Sequence, residues 1–285
     1  MLSLDKTKSI NDVINFSNKQ ILVAMSKVDG LTCSLRYMGG KLISAETRGD
    51  GTVGEDILHN ALVIPSIPNR IDYTDELIVD GEIVCLYSDF VNFENEYKNP
   101  RNFAAGSIRL LDAKECASRK LTFIMWDVIK GFDECNSFTA KMLNAQDLGF
   151  FIVPMASINP DSLDEKIINY IKESSKKISI PIDGVVFKYE DIRYGQKQGK
   201  TAHHFKNAIA YKFYDETYDT KLKDIEWSMG RTGELTPVAK FEPVEINETT
   251  VQRANLHNLS IMEDILGIPF KNQSIQVFKA NMIIP

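Results

Sequence analysis

Between residues 21 and about 71 the chain runs as short, β-like apolar stretches cut by glycines at positions 30, 39, 40, 49, 51 and 54. The Gly39-Gly40 pair, set between Leu35-Arg36-Tyr37 and Leu42-Ile43, is a strong hairpin signal, because glycine accepts the positive φ that a two-residue turn demands. Further strands are expected over 77–86, 121–129 and 184–189. Helices are expected over 88–97, 140–148 and 163–173, the last with Leu163, Ile167, Ile168 and Ile171 as an apolar stripe. Ser9-Ile10-Asn11-Asp12 reads as a helix start, with Val13, Ile14 and Phe16 following on one face. Strands and helices mix without βαβ regularity, which points to an α+β fold with antiparallel sheets.

Past residue 215 the texture changes. Short, turn-separated strands are expected over 222–227, 238–241, 249–253 and 274–278, with little helix, as in a small barrel of the oligonucleotide-binding kind. Two domains follow from this reading, 1–215 and 216–285, and 285 residues give each room for a core.

Composition excludes several classes. Hydrophobic residues make up 44% and charged residues 25% of the chain, ordinary globular values that argue against long disorder. No run approaches the length of a transmembrane helix, and Met1-Leu2-Ser3-Leu4-Asp5 is no signal peptide; the expectation is a soluble, cytoplasmic protein with no membrane partner. Cys33, Cys85, Cys116 and Cys135 are scattered without a C-x-x-C pair, so they read as free, buried thiols rather than zinc ligands. With 33 Lys+Arg against 39 Asp+Glu, the net charge is −6. Bulk electrostatics do not mark a nucleic-acid binder, so any phosphate site must be a local cluster of basic side chains.

Candidates for that cluster recur along the chain. Lys27-Val28-Asp29-Gly30 would put Lys27 and Asp29 on one face of a strand, with Gly30 free to turn sharply or let a ligand approach. A free lysine is a poor nucleophile, since only about one in two thousand is neutral at pH 7; crowding by other cations would activate it. Thr47-Arg48-Gly49-Asp50-Gly51 offers a guanidinium on a flexible loop. Asp80-Gly81-Glu82, Asn99-Pro100-Arg101-Asn102, the segment ending at Arg109, Asp183-Gly184-Val185-Val186-Phe187-Lys188 and Tyr211-Lys212-Phe213 complete the series. Each alone has a plain reading as a surface turn or a strand with a snorkelling lysine.

Together, and in this order, these motifs resemble bacterial NAD-dependent DNA ligase. The likeness continues in Gly230-Arg231-Thr232-Gly233, Leu235-Thr236-Pro237-Val238-Ala239 and Arg253-Ala254-Asn255-Leu256-His257-Asn258, which resemble the family's oligonucleotide-binding (OB) domain. The resemblance implies an adenylation domain over 1–215 and an OB domain over 216–285. It implies Lys27 as the nucleophile that takes AMP from NAD, with Asp29 beside it in catalysis. Arg48, Glu82, Arg101, Arg109, Lys188 and Lys212 would bind the nucleotide, Lys188 and Lys212 at the α-phosphate. Asp183 and Glu82 would serve Mg²⁺, and Arg109, Arg231 and Arg253 would contact nicked double-stranded DNA. The six basic residues of the first domain would converge on one cleft, reconciling phosphate chemistry with an acidic chain. Residues 216–285 hold 7 Lys+Arg against 10 Asp+Glu, so DNA affinity from this part alone should be weak and salt-sensitive.

Departures from the family pattern set further expectations. Met25 stands where the family usually has an adenine-reading glutamate, and Phe205-Lys206-Asn207 where it has an aromatic-containing segment. The resemblance begins at the family's adenylation core and ends inside the OB domain. The expectation is therefore either a fragment or one subunit of a split ligase, partnered by a second polypeptide that supplies the remaining domains. The competing readings are a non-catalytic nick- or nucleotide-binding module, and an RNA ligase or capping-type nucleotidyltransferase. The second of these should lack Arg231-Thr232-Gly233 and its neighbours.

Overall fold

The computed structural model of the chain describes residues 3–49, 54–200, 204–213, 217–229, 233, 235–246 and 249–278. Two compact units separate at Phe213/Tyr214. The fold is α+β, and the described strands pair antiparallel except where β1 (Ser3–Thr7) lies parallel to β9 (His204–Lys212).

In the first unit a five-stranded sheet has the order β1-β9-β8-β2-β7, with β2 at Leu22–Val28, β7 at Met155–Ile158 and β8 at Ile182–Tyr189. Its two faces go different ways, as strand alternation requires. Leu22, Ala24, Val185, Phe187 and Ile209 pack beneath α1 (Ile10–Ser17) and α7 (Glu165–Lys177). Val23, Met25, Val186, Ala208 and Ala210 join a larger core shared with the second sheet. That sheet has the order β4-β3-β5-β6: β3 Leu31–Met38, β4 Lys41–Thr47, β5 Leu77–Val84 and β6 Thr122–Lys130. Its Leu35, Val79, Ile83 and Phe123 are sealed in the same core as Phe103 and Ile108, on and just after α4 (Pro100–Ser107). Alternation along β5 sends Asp80 and Glu82 to the opposite face from Val79 and Ile83.

The β3–β4 hairpin turns at Gly39-Gly40, both at positive φ (58° and 71°), as the glycine pair predicts. The helix expected over 88–97 is replaced by a single turn, α3 (Tyr87–Phe90), then a run of turns to residue 96. Asn92 and Asn95 favour turns over helix, and Phe93 and Tyr97 instead anchor the segment by packing on Phe103. Helix α4 was not foreseen, although Asn99-Pro100 carries its start signal. Asn99 accepts from the Asn102 N–H as N-cap, and Pro100 occupies the first turn, where its missing donor is harmless. The short helices α2 (Leu58–Ala61), α5 (Ala113–Ser118) and α8 (Ile192–Lys197) fill connections, and α6 (Phe138–Asp147) falls where a helix over 140–148 was expected.

The second unit forms a four-stranded sheet in the order β12-β11-β10-β13, with β10 Thr217–Met229, β11 Leu235–Ile246, β12 Thr249–Asn255 and β13 Ser274–Phe278. Strands β10 and β11, 13 and 12 residues long, exceed the short strands expected. The start of β10 pairs with β13 and its end with β11, so one strand switches partners and curls the small sheet around Leu222, Phe241, Val251 and Val277. Helix α9 (Leu259–Leu266) was not foreseen; Asn258 caps it by accepting from the Ile261 N–H. Among the described residues no helix is long and apolar enough to cross a membrane. All four cysteines are free, three of them buried.

Candidate active site

Lys27 lies near the end of β2, opposite Gly184 of β8, which in turn lies opposite Lys212 of β9. Directly opposed residues share a face, so the two lysines flank a glycine on the side facing the second sheet. Gly184 has no substitute here: a Cβ would fall 2.2 Å from the Tyr211 carbonyl oxygen. The register breaks just beyond, since Lys27 pairs with Gly184 but Val28 with Ile182. Asp183 is thus the extra residue of a β-bulge. By alternation it would share the helix-packed side of Val185. Bulges re-aim side chains, and this one turns Asp183 to the lysines. Asp183 Oδ1 accepts from Lys27 Nζ at 2.7 Å, and its Oδ2 lies 3.3 Å from Lys212 Nζ. All three side chains remain about a quarter to a third exposed, open to a ligand.

Opposite them stand Arg101 of α4 and Glu82 of β5, with Asp29 just past the end of β2. Arg101 donates to Asp29 Oδ1 at 3.0 Å. Burial raises the Asp29 carboxyl above its usual range, opposed by the Arg101 charge. Gly30 lets β2 swing close past β5, where a Cβ would meet the Ile83 carbonyl oxygen at 2.6 Å. Glu82 Oε1 accepts from Thr32 Oγ1 at 2.8 Å, whereas its Oε2 is buried with no hydrogen-bond partner. Burial pushes the Glu82 carboxyl up to about 7, against the pull of the Thr32 bond and of the Lys27 and Arg101 charges. An orphaned acceptor beside two cations is a place prepared for a donor such as a hydroxyl.

Lys188 is elsewhere. It lies opposite Val23 on β2, four residues along β8 from Gly184, or about 13 Å at strand rise. Its ammonium donates to Asp127 Oδ2 of β6 at 2.5 Å and sits 4.5 Å from the centre of the Phe138 ring. The expected meeting of Lys188 and Lys212 at one phosphate is therefore not what the structure presents. Beside this pair Asp80 is buried with Oδ1 unpartnered, and burial lifts its carboxyl to about 6. A hollow of about 180 Å³ adjoins the Lys188–Asp127 pair, walled also by Phe138, Lys141, Tyr189 and Gln196.

The other sequence-derived candidates scatter. The Arg48 N–H bonds the Thr32 carbonyl, which ties that residue's backbone to the Glu82 wall. Arg109 pairs with Glu55 at 2.6 Å on an exposed surface rather than with the Lys27 group. In the second unit Arg253 donates to Glu226 at 2.9 Å and Lys240 approaches the same carboxylate at 3.0 Å. These bonds hold the Glu226 carboxyl down to about 2. Arg231, with Gly230, Thr232, Asp50 and Gly51, lies outside the described residues.

For Mg²⁺, no group of three or more His, Cys, Asp or Glu ligands exists among the described residues. Both Asp183 oxygens face lysines, so Glu82 and Asp183 form no metal cage of their own.

Sequence reading passed over Asp127 and Thr32. The signal for Asp127 was a carboxylate inside the apolar run 121–129, the same kind of interruption that marked Lys212.

Comparison with known proteins bears on the family of the chain. The family model for the NAD-dependent DNA ligase adenylation domain matches residues 2–216, and that for the NAD-dependent DNA ligase OB-fold domain matches residues 219–285. A DNA ligase of Lachnoclostridium phytofermentans is 42% identical over all of this chain, and one of Ruminiclostridium cellulolyticum is 41% identical. The chain spans 45% and 44% of the lengths of these relatives. A solved structure named Pmar-Lig_PreS3 superposes with a TM-score of 0.50 at 15% identity, covering 90% of this chain and 56% of that one, a likeness of fold alone. With both of its regions matched by the models of one family, the chain belongs to the NAD-dependent DNA ligases, as their adenylation and OB-fold portion.

Proposed function

We propose that this portion carries out the nucleotidyl-transfer chemistry of a DNA ligase, with Lys27 as the AMP carrier. The observation that supports it most is the line of Lys27, Gly184 and Lys212 on adjacent strands, with the bulged Asp183 between the two ammoniums. Lys27 Nζ attacks the α-phosphorus of NAD, the N–P bond forms, and the P–O bond to nicotinamide mononucleotide breaks. Asp183 is within hydrogen-bond reach of the attacking nitrogen and placed to take its proton. Lys212 lies ready for the charge that builds on the phosphoryl oxygens, the dominant demand of such a displacement. Glu82 accepts from a ribose hydroxyl through its orphaned oxygen, and Arg101 orients Asp29 at the rim. AMP then passes to the 5′-phosphate of a nick in double-stranded DNA, and the 3′-hydroxyl displaces it to seal the strand. The coordination of magnesium would be completed by phosphate oxygens and water rather than by the protein. Arg109, Arg231 and Arg253 are proposed as DNA contacts.

The test is to incubate the chain with NAD labelled in its AMP half, or with labelled ATP, and look for covalent label. Label from NAD, lost in Lys27→Ala, is the expected result; label that survives that substitution would remove Lys27 from the chemistry. Sealing is measured separately on a nick already carrying 5′-AMP, with and without a second polypeptide bearing the remaining ligase regions. Sealing of an unadenylated nick with NAD is measured alongside; if it gains nothing from that addition, the expectation of a complementing second polypeptide falls and the nucleotidyl transfer stands.

A further inference from the structure

The cleft has a second constructed end. Strand β6 breaks register against β5: Gly81 pairs with Met125 but Asp80 with Asp127, leaving Trp126 as an extra residue. Without that bulge Asp127 would share the buried face of Met125. With it, Asp127 shares a face with Asp80 and meets Lys188 of the other sheet. The resulting ion pair spans the two sheets, with side chains only 15–16% exposed. Between this pair and the Lys27 end the same face of the sheet carries Met25 and Val186, directly opposed, as an apolar floor that is packed into the core shared with the second sheet. A mononucleotide with its phosphate at Lys27 and Lys212 would lay its base along that apolar floor and meet the Lys188–Asp127 pair with its edge.

We propose that Asp127 is the specificity-determining residue that makes this cleft choose adenine, by accepting a hydrogen bond from the exocyclic 6-amino group. The ion pair uses Oδ2, and among the described residues Oδ1 has no hydrogen bond, which leaves one acceptor for a ligand. Lys188, held by Asp127, presents its remaining N–H groups beside that acceptor. Adenine offers the matching order, an amino donor next to the N1 lone pair. Hypoxanthine reverses it: a carbonyl oxygen faces the carboxylate, and an N–H faces the ammonium. Both contacts then become repulsive or unpaired in a site with little water, which is the situation that yields strong discrimination. Met25 has no polar atom able to do this work, so the reading falls to the facing sheet.

This inference rests on the cleft being an AMP site, and the experiment separates the two. Equilibrium binding of AMP and of IMP is measured by calorimetry on the full chain, on Asp127→Asn and on Asp127→Glu. The wild-type chain is expected to favour AMP by roughly tenfold to a hundredfold. Asp127→Asn keeps the shape and a bond to Lys188, but its amide can turn a donor to the base; the preference should shrink to within about threefold. Asp127→Glu restores the carboxylate and should retain a preference for AMP. A wild-type ratio near one overturns the proposal whatever the variants do, and so does an Asp127→Asn ratio equal to wild type. Absence of binding by either nucleotide to the wild-type chain overturns the AMP site itself, and this inference with it.

Discussion

The two ends of the cleft are built by one device and loaded with opposite arithmetic. At the Lys27 end a bulge in β8 delivers one carboxylate, Asp183, to two lysines. At the Lys188 end a bulge in β6 delivers Asp127 to one lysine, with the buried Asp80 nearby. The first end keeps surplus positive charge, which suits a phosphate; the second is neutral or acidic, which suits an uncharged base with donors on its edge. A single nucleotide can satisfy both only in one orientation. On the proposed reading, chemistry belongs to one end and selection to the other.

The largest effect should break the first end outright. Lys27→Ala is expected to abolish covalent AMP attachment, because it removes the bond-forming nitrogen, while circular dichroism and the melting midpoint stay near wild type. Lys27→Arg should be equally inactive, since a guanidinium cannot lose its proton under these conditions. Next come the two other lysines, which should separate by kind. Lys212→Ala should lower the rate of adenylation about a hundredfold at saturating NAD, as for loss of a charged contact worth roughly 3 kcal/mol in the transition state. Lys188→Ala should chiefly weaken nucleotide binding. Equal losses in kcat for both, without a change in KM for the second, would erase the distinction between the ends.

A stability measurement probes the wall between them. The Glu82 carboxyl is raised from 4.5 to about 7 by burial, so the folded state holds its proton more tightly than the unfolded chain does. The stabilisation is complete below about pH 4.5 and is lost as pH rises through about 7. Its size is roughly 3 kcal/mol, because each tenfold gain in proton affinity on folding is worth about 1.4 kcal/mol. Glu82→Gln should flatten that part of the profile in urea-unfolding titrations between pH 4.5 and 8; an unchanged slope would show that Glu82 is not the titrating group. Asp80, raised to about 6, contributes a slope of the same sign that remains in the variant.

The smallest effect belongs to the second unit, where charge is arranged without burial. Arg253, Lys240 and Glu226 form an exposed cluster on three adjacent strands. Arg253→Ala should leave thermal stability nearly unchanged, since exposed pairs contribute little. If Arg253 is a phosphate contact, the dependence of DNA affinity on salt should fall by about one ion. A salt slope identical to wild type would remove Arg253 from the DNA contact.

Much of this molecule was written locally. Gly39-Gly40 specified its hairpin, Asn99-Pro100 started α4, and the stripe of Ile167, Ile168 and Ile171 buried α7 against the sheet, because each signal acts within a few residues of chain. The order of charged motifs likewise specified the family and brought forward Lys27, Asp183 and Lys212. The segment over 88–97 shows where such reading fails: its helix-like spacing yielded to asparagine turns and to aromatic anchoring on Phe103, a partner supplied from outside the segment. The decisive placements were also non-local. Whether Asp183 faces Lys27 or the helices, and whether Asp127 faces the cleft or the core, depends on one extra residue in a strand relative to its neighbour. Side-chain alternation has a period of two, so a single-residue shift exchanges the faces. That register is set by how two strands meet across the sheet, and no pattern within either strand alone encodes it.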